Sequence, residues 1–287
     1  MSELLWQPRL RDPQSPPLLM GILNVTPDSF SDGGRYLTPA SALAQAQLMV
    51  AQGASILDVG GESTRPGALS VSDDEQLRRV LPVLLDLRAK LPADIALSID
   101  TRSVGVARAA LGAGAQIIND VSGGRDGTLL ELAATTQACL VLMHMQGEPV
   151  SMQLAPRYED VVGEVLSFLL AAAAAAEQRG VARARILIDP GLGFGKTREH
   201  NLRLLAALPR FAETGYALAL GTSRKRFMGA ICRETAFTTL VGATCATTAL
   251  GVAAGVRVFR VHDVQANRQA MEVAWAIGQS ARAATLR

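Results

Sequence analysis

The sequence predicts a single (β/α)8 barrel, on three observations. A short β-branched apolar run, a polar or Gly-rich turn and a longer segment of helical spacing recur together eight times. No Pro/Ser-rich linker interrupts the series. The length of 287 residues suits one barrel, a fold that typically fills ~250 residues. An open doubly wound sheet is the other architecture that eight strand–helix units allow.

The eight strand runs, in order, are Leu18–Asn24, Ser55–Gly60, Ile95–Asp100, Gln116–Asp120, Cys139–His144, Arg185–Asp189, Tyr216–Gly221 and Val256–Val261. Helix starts punctuate the intervals. Thr38 followed by Pro39 reads as an N-cap and first helical residue, and Ser72-Asp73-Asp74-Glu75 reads as a capping box. Leu77, Val80, Leu81, Leu84, Leu85 and Leu87 form the apolar face expected of the helix that follows. The run Ala171–Ala176 extends one long helix, because Ala is the strongest helix former. Residues 1–17 are read as an N-terminal extension and 18–287 as the barrel domain.

Composition narrows the function. Apolar residues make up 49% and charged residues 19%, which excludes a disordered chain. The 28 basic and 26 acidic residues are dispersed and leave a net charge of +2, so no nucleic-acid partner is expected. Cys139, Cys232 and Cys245 are odd in number and widely separated, which fits a reducing cytoplasm better than a disulfide framework. Met1 to Pro17 lacks the apolar core of a secretion signal. Thr235 to Val256 carries no charge, yet its six threonines and three glycines read as a buried helix, at a plausible subunit contact, and no membrane association is expected.

The functional signal lies in how the strand runs end. They offer Asn24, then Gly60-Gly61-Glu62, Asp100, Asn119-Asp120, His144, Asp189, Thr222-Ser223, and Arg260 with His262. In a barrel these ends converge on one mouth, where barrel enzymes keep their sites. Asp100, Asn119 and Asp189 suit a flat heterocycle rich in N–H and C=O groups, since a carboxylate accepts two parallel N–H bonds. The basic residues Arg224, Lys225, Arg226, Arg260 and His262 follow the last two strands, where many barrels bind a phosphate. Two motifs fail: Pro190 stands where a Walker A loop needs its first glycine, and the three histidines lack zinc spacing.

Eight segments carry a family pattern: Gly21-Ile-Leu-Asn-Val-Thr-Pro-Asp-Ser-Phe-Ser-Asp-Gly-Gly34, Asp58-Val-Gly-Gly-Glu-Ser-Thr-Arg-Pro-Gly67, Ser98-Ile-Asp-Thr101, Ile118-Asn-Asp-Val121, Leu142-Met-His-Met145, Asp189-Pro-Gly-Leu-Gly-Phe-Gly-Lys196, Ser223-Arg-Lys225 and Arg260-Val-His-Asp263. They run in order from the first strand to the eighth, and in them the chain resembles the dihydropteroate synthases. The resemblance implies condensation of 6-hydroxymethyl-7,8-dihydropterin diphosphate with 4-aminobenzoate to 7,8-dihydropteroate and pyrophosphate, a Mg²⁺ cofactor and a homodimer. It implies that Asp100, Asn119, Asp189 and Lys225 hold the pterin, with Met143, Phe194 and Gly221 lining its slot. Asn24 would bind Mg²⁺, Thr64, Arg260 and His262 would contact the diphosphate, and Val261 would join the substrate contacts. Phe30, Arg65, Pro66 and Ser223 belong to the segments expected to shape the aminobenzoate site. Catalysis is expected of Asp100, Asp189, Lys225, Arg260 and His262. One departure is Ser103, where many members carry a basic residue, with Arg102 just before it.

Overall fold

The computed structural model describes residues 6–26, 38–63 and 67–285. Eight parallel strands close into a barrel in chain order: β1 Leu18–Asn24, β2 Ile56–Gly60, β3 Ala96–Asp100, β4 Ile117–Asp120, β5 Cys139–Met143, β6 Ile186–Asp189, β7 Ala217–Leu220 and β8 Val258–Val261. The helices are α1 Pro39–Ala51, α2 Asp73–Lys90, α3 Val104–Gly112, α4 Gly127–Thr136, α5 Val161–Gln178, α6 Arg198–Ala206, α7 Leu208–Ala212, α8 Arg226–Cys232, α9 Val241–Ala253 and α10 Val264–Thr285. Parallel strands need such crossovers, and the helices cover the outer face of the barrel. The closed sheet excludes the open doubly wound alternative.

Alternation along each strand divides the core in two. Leu18, Met20, Ile56, Ala96, Ile117, Cys139, Val141, Leu187, Ala217, Ala219 and Val258 fill the barrel interior. Their neighbours, such as Leu57, Ile99, Leu140, Ile188 and Phe259, meet the helices. Trp6 and Leu10 pack into the interior cluster, so residues read as an extension form the floor of the barrel. Arg257 fastens this floor by donating from Nη2 to the main-chain oxygens of Arg9, Asp12 and Ser15.

Local signals hold with three corrections. Thr38 caps α1 as expected, its hydroxyl accepting the Ser41 N–H at 3.2 Å. Ser72 caps α2, but no reciprocal capping-box bond forms, because Glu75 instead accepts from Arg78 and Arg79 at 2.7 Å. On α2, Leu85 is 58% exposed and Val83 is buried in its place, since the inward stripe runs through Val80, Val83, Leu84 and Leu87. The stretch expected as one helix from Thr235 is a 3-10 turn, Phe237–Thr239, followed by α9. Among the described residues one helix, α5, is long and apolar enough to cross a bilayer, and it buries Val161, Val165, Leu169, Ala173 and Ala176 in the barrel's outer layer.

Candidate active site

Strand register builds the mouth. β1 sets Asn24 beside Gly60, Gly60 pairs with Asp100, and Asp100 pairs with Asn119, so three polar side chains share one tier at the C-terminal rim. A Cβ on Gly60 would lie 3.2 Å from Asn24 Oδ1 and 3.8 Å from Asp100 Oδ2, so glycine keeps the space between these oxygens open. Further round, Met143 pairs with Asp189.

Arg260 rises from β8 and joins carboxylates on two other strands. Its Nε donates to Asp58 Oδ2 and its Nη2 to Asp100 Oδ2, each at 2.6 Å. Asn119 Nδ2 donates to the same Asp58 oxygen at 2.9 Å. One guanidinium thus serves two buried acids. Burial, opposed by Arg260 and reinforced by Asp58 and Glu62, pushes Asp100 up to about 7. Burial works against the charge on Arg260, yet Asp58 and Asp100 hold its pKa above the ordinary value. Among the described residues, Asp58 Oδ1 and Asp100 Oδ1 are buried without a hydrogen-bond partner. Such an atom at a binding mouth is available to a ligand donor, because buried polar groups are otherwise paired.

Asp189 sits at the start of a glycine-rich loop. Its Oδ1 accepts the Gly191 N–H at 2.7 Å, and burial raises its pKa while that bond, Lys225, Arg260 and Lys196 oppose the shift. Beside it, Val121, Met143, Met145 and Met152 form an apolar cluster with Phe194 packed against it. The ammonium of Lys225 lies 4.1 Å from the centroid of the Phe194 ring, a cation–π contact, and the aliphatic chain of Lys225 crosses Gly193. The result is a slot with an apolar wall, a carboxylate at its base and a cation over its aromatic edge.

A hydroxyl and basic groups occupy the corner after β7 and β8. Ser223 Oγ lies 2.9 Å from His262 Nδ1 and accepts the His262 N–H at 3.0 Å. Arg224 stands in the left-handed region at φ 57°, held by its ion pair to Asp263 at 2.6 Å. Strained backbone of this kind clusters at binding loops.

Alternation sorts the residues that the sequence singles out. Asn24, Asp100, Asn119, Met143, Asp189, Gly221, Arg260 and His262 lie on the inward parity of their strands or just beyond it, and Phe194, Ser223 and Lys225 join them from loops. The Val261 side chain packs in the outer apolar layer, one position out of phase with Arg260. His144 and Asp120 also turn outward, the first to Lys196 and the second to the Ser122 and Gly124 N–H groups. Phe30, Thr64, Arg65 and Pro66 lie outside the described residues. Ser103 caps α3 and accepts from the Val106 N–H, while Arg102 pairs with Glu148 at 2.7 Å and Glu62 at 3.6 Å. Two residues escaped the sequence reading, Asp58 and Lys196. A carboxylate in the middle of the apolar run Ile56-Leu-Asp-Val-Gly60, at inward parity, was the available signal for the first.

A barrel mouth with inward acids, an apolar slot and a basic corner defines a receptor for a flat polar heterocycle bearing an anionic arm. Residues 20–262 match the family described as pterin binding enzyme. The chain is 45% identical over 260 residues to the dihydropteroate synthase of a Synechocystis species, covering 90% of this chain and 89% of that protein. Dihydropteroate synthase from Xanthomonas albilineans, solved with 4-aminobenzoic acid, superposes with a TM-score of 0.85 at 44% identity, over 92% of this chain and 93% of that one. The same enzyme in complex with 7,8-dihydropteroate gives 0.81 at 41% identity, over 92% and 94%. The chain belongs to the dihydropteroate synthase family of pterin-binding enzymes.

Proposed function

We propose that this enzyme joins 6-hydroxymethyl-7,8-dihydropterin diphosphate to 4-aminobenzoate, giving 7,8-dihydropteroate and pyrophosphate. The observation that carries the reading is the pairing of the Asp189 carboxylate with the Met143–Phe194 slot, under the cation of Lys225. Solved complexes of the Xanthomonas albilineans relative with 4-aminobenzoic acid and with 7,8-dihydropteroate support the same substrates.

In this reading Asp189 and Asn119 hydrogen-bond the N–H and C=O edge of the pterin, and Met143 and Phe194 sandwich its faces. Asp100 offers its orphaned Oδ1 to the ring nitrogen side. The bond between the pterin methylene and the diphosphate oxygen breaks, and its electron pair leaves with pyrophosphate. The developing cation is spread over the ring, where the carboxylates of Asp100 and Asp189 stabilise it. The amine nitrogen of 4-aminobenzoate forms the new bond to the methylene and then releases a proton. An aromatic amine is neutral at pH 7, so the reaction needs no dedicated general base. Arg260, His262 and Thr64 are assigned to the diphosphate arm, and Ser223 with the segments carrying Phe30, Arg65 and Pro66 to the second subsite.

The donor set fits Mg²⁺. Asn24 Oδ1 is a hard oxygen on the same rim tier as the Asp100 carboxylate, with only the bare Gly60 between them, and Mg²⁺ is usually held by one or two protein oxygens plus substrate phosphate and water. Asn24 would hold it; when bound it neutralises charge on the leaving diphosphate. We also assign self-association to the α9–α10 face, where Leu250, Val273 and Ile277 are exposed; light scattering reporting a monomer at micromolar concentration would remove that assignment.

The test is turnover. Purified protein with the dihydropterin diphosphate, 4-aminobenzoate and Mg²⁺ should release pyrophosphate, and pterin binding without turnover would reduce the protein to a binding paralogue.

A further inference from the structure

Lys196 is only 3% exposed and takes no part in the contacts assigned to the pterin. Its ammonium lies 2.9 Å from His144 Nδ1, 3.0 Å from the Phe194 carbonyl and 3.3 Å from the His144 carbonyl. Each of its three hydrogens therefore has an acceptor, provided that His144 is neutral with its proton on Nε2. His144 is neutral: burial, with Lys196 beside it, lowers its pKa to about 3. The imidazole is boxed by Phe168, with ring centroids 5.0 Å apart, and by Tyr158 at 6.1 Å.

The acceptors flank the slot. His144 directly follows Met143, and Phe194 packs against the apolar cluster to which Met143 belongs. The rest of the loop is docked on the same neighbour: Tyr158 donates to the Gly195 carbonyl at 2.9 Å and Gln153 Nε2 to the Gly193 carbonyl at 2.7 Å. A Cβ at Gly191 or Gly195 would collide with the main-chain oxygens of His144 and Gln146, so the two segments meet backbone to backbone. Burying an ammonium is costly, and an apolar side chain of similar volume fills such a space at least as stably. Burial lowers Lys196 to about 7, with Asp189 acting in the opposite direction. What the three acceptors join, when the ammonium donates to them, is the Phe194 carbonyl to His144.

We propose that Lys196 is a positioning residue for the pterin slot: by tying the Phe194 carbonyl to His144, it fixes the spacing between Phe194 and Met143. This rests on the pterin reading given above. The cation does not touch the heterocycle. It acts through Phe194, whose ring in turn carries Lys225.

The experiment is a double-mutant cycle on the full-length protein, with 6-hydroxymethylpterin as the titrated probe. Lys196→Met should weaken probe binding about 10- to 100-fold, the scale of losing charge-assisted hydrogen bonds. The KM for 4-aminobenzoate at saturating dihydropterin diphosphate should stay within about 2-fold, because that subsite is not held by this tie. In the Phe194→Ala background, the same substitution should cost less than about 3-fold, since the group it positions is gone. Wild-type probe affinity in Lys196→Met, equal losses for both substrates, or full additivity in the cycle would overturn the proposal. If Lys196→Met does not fold, His144→Leu removes one acceptor and should weaken the probe about 3- to 10-fold; unchanged affinity there overturns it equally. Failure of the wild-type protein to bind the probe would instead sink the pterin reading itself.

Discussion

Arg260 and Asp58, 202 residues apart, are joined by a 2.6 Å hydrogen bond across the barrel mouth. Asp58 is fully buried, and its Oδ2 also accepts from Asn119. Through this oxygen the carboxylate orients two of the groups assigned to substrate. Asp58→Ala leaves Arg260 sharing only Asp100, and we expect a loss of about 3 kcal/mol in stability, as for one partner removed from a buried ion pair. Urea unfolding measures it, and a loss below about 1 kcal/mol would show that Asp100 suffices alone.

Lys225→Ala and Asp189→Ala should each lower kcat/KM by at least about 10²-fold, the scale of removing a charged group from a reacting centre. Steady-state pyrophosphate release reads this. Near wild-type rates for either variant would count against the slot as the pterin site.

Titration gives two opposite slopes in the ligand-free protein. Asp100 is raised from 3.8 to about 7, so the folded state holds its proton longer, and this contribution to stability is full below about pH 4 and lost as pH rises through 7. Lys196 is lowered from 10.5 to about 7, so its contribution is full above about pH 10 and lost as pH falls through 7. Stability curves of Asp100→Asn and Lys196→Met, subtracted from wild type, should show these slopes on the two sides of neutrality. A flat difference curve for either variant contradicts the corresponding assignment.

Gly191 has φ 64°, and a Cβ there would run into the His144 carbonyl oxygen. Gly191→Ala should destabilise the protein by about 3 kcal/mol, combining left-handed strain with overpacking. It should also weaken pterin binding, because the Gly191 N–H holds Asp189. Thermal unfolding together with probe titration distinguishes the two effects.

Much of the fold was written in local pattern. Eight apolar runs with turn chemistry between them specify a barrel, and the strand boundaries fall within two residues of those expected. The polar residues at the strand ends were equally legible, because a charged or amide group closing an apolar run is visible in one dimension. Their facing was less so. Val261 and His144 sit next to inward residues, yet period-2 alternation sends their side chains outward.

By itself the sequence determined the order of strands, the polar rim and the motifs of the family, since each depends on neighbours within about a dozen residues. Only the tertiary structure decided the partners. Asp58 meets Arg260 because closing the sheet sets β8 beside β1 and so across from β2 and β3, and Lys196 reaches His144 because two glycines let the loops after β5 and β6 touch. Barrel closure brings together charges that are far apart in the chain, and in a buried mouth such pairings set each group's charge state and leave Asp100 Oδ1 ready for a ligand.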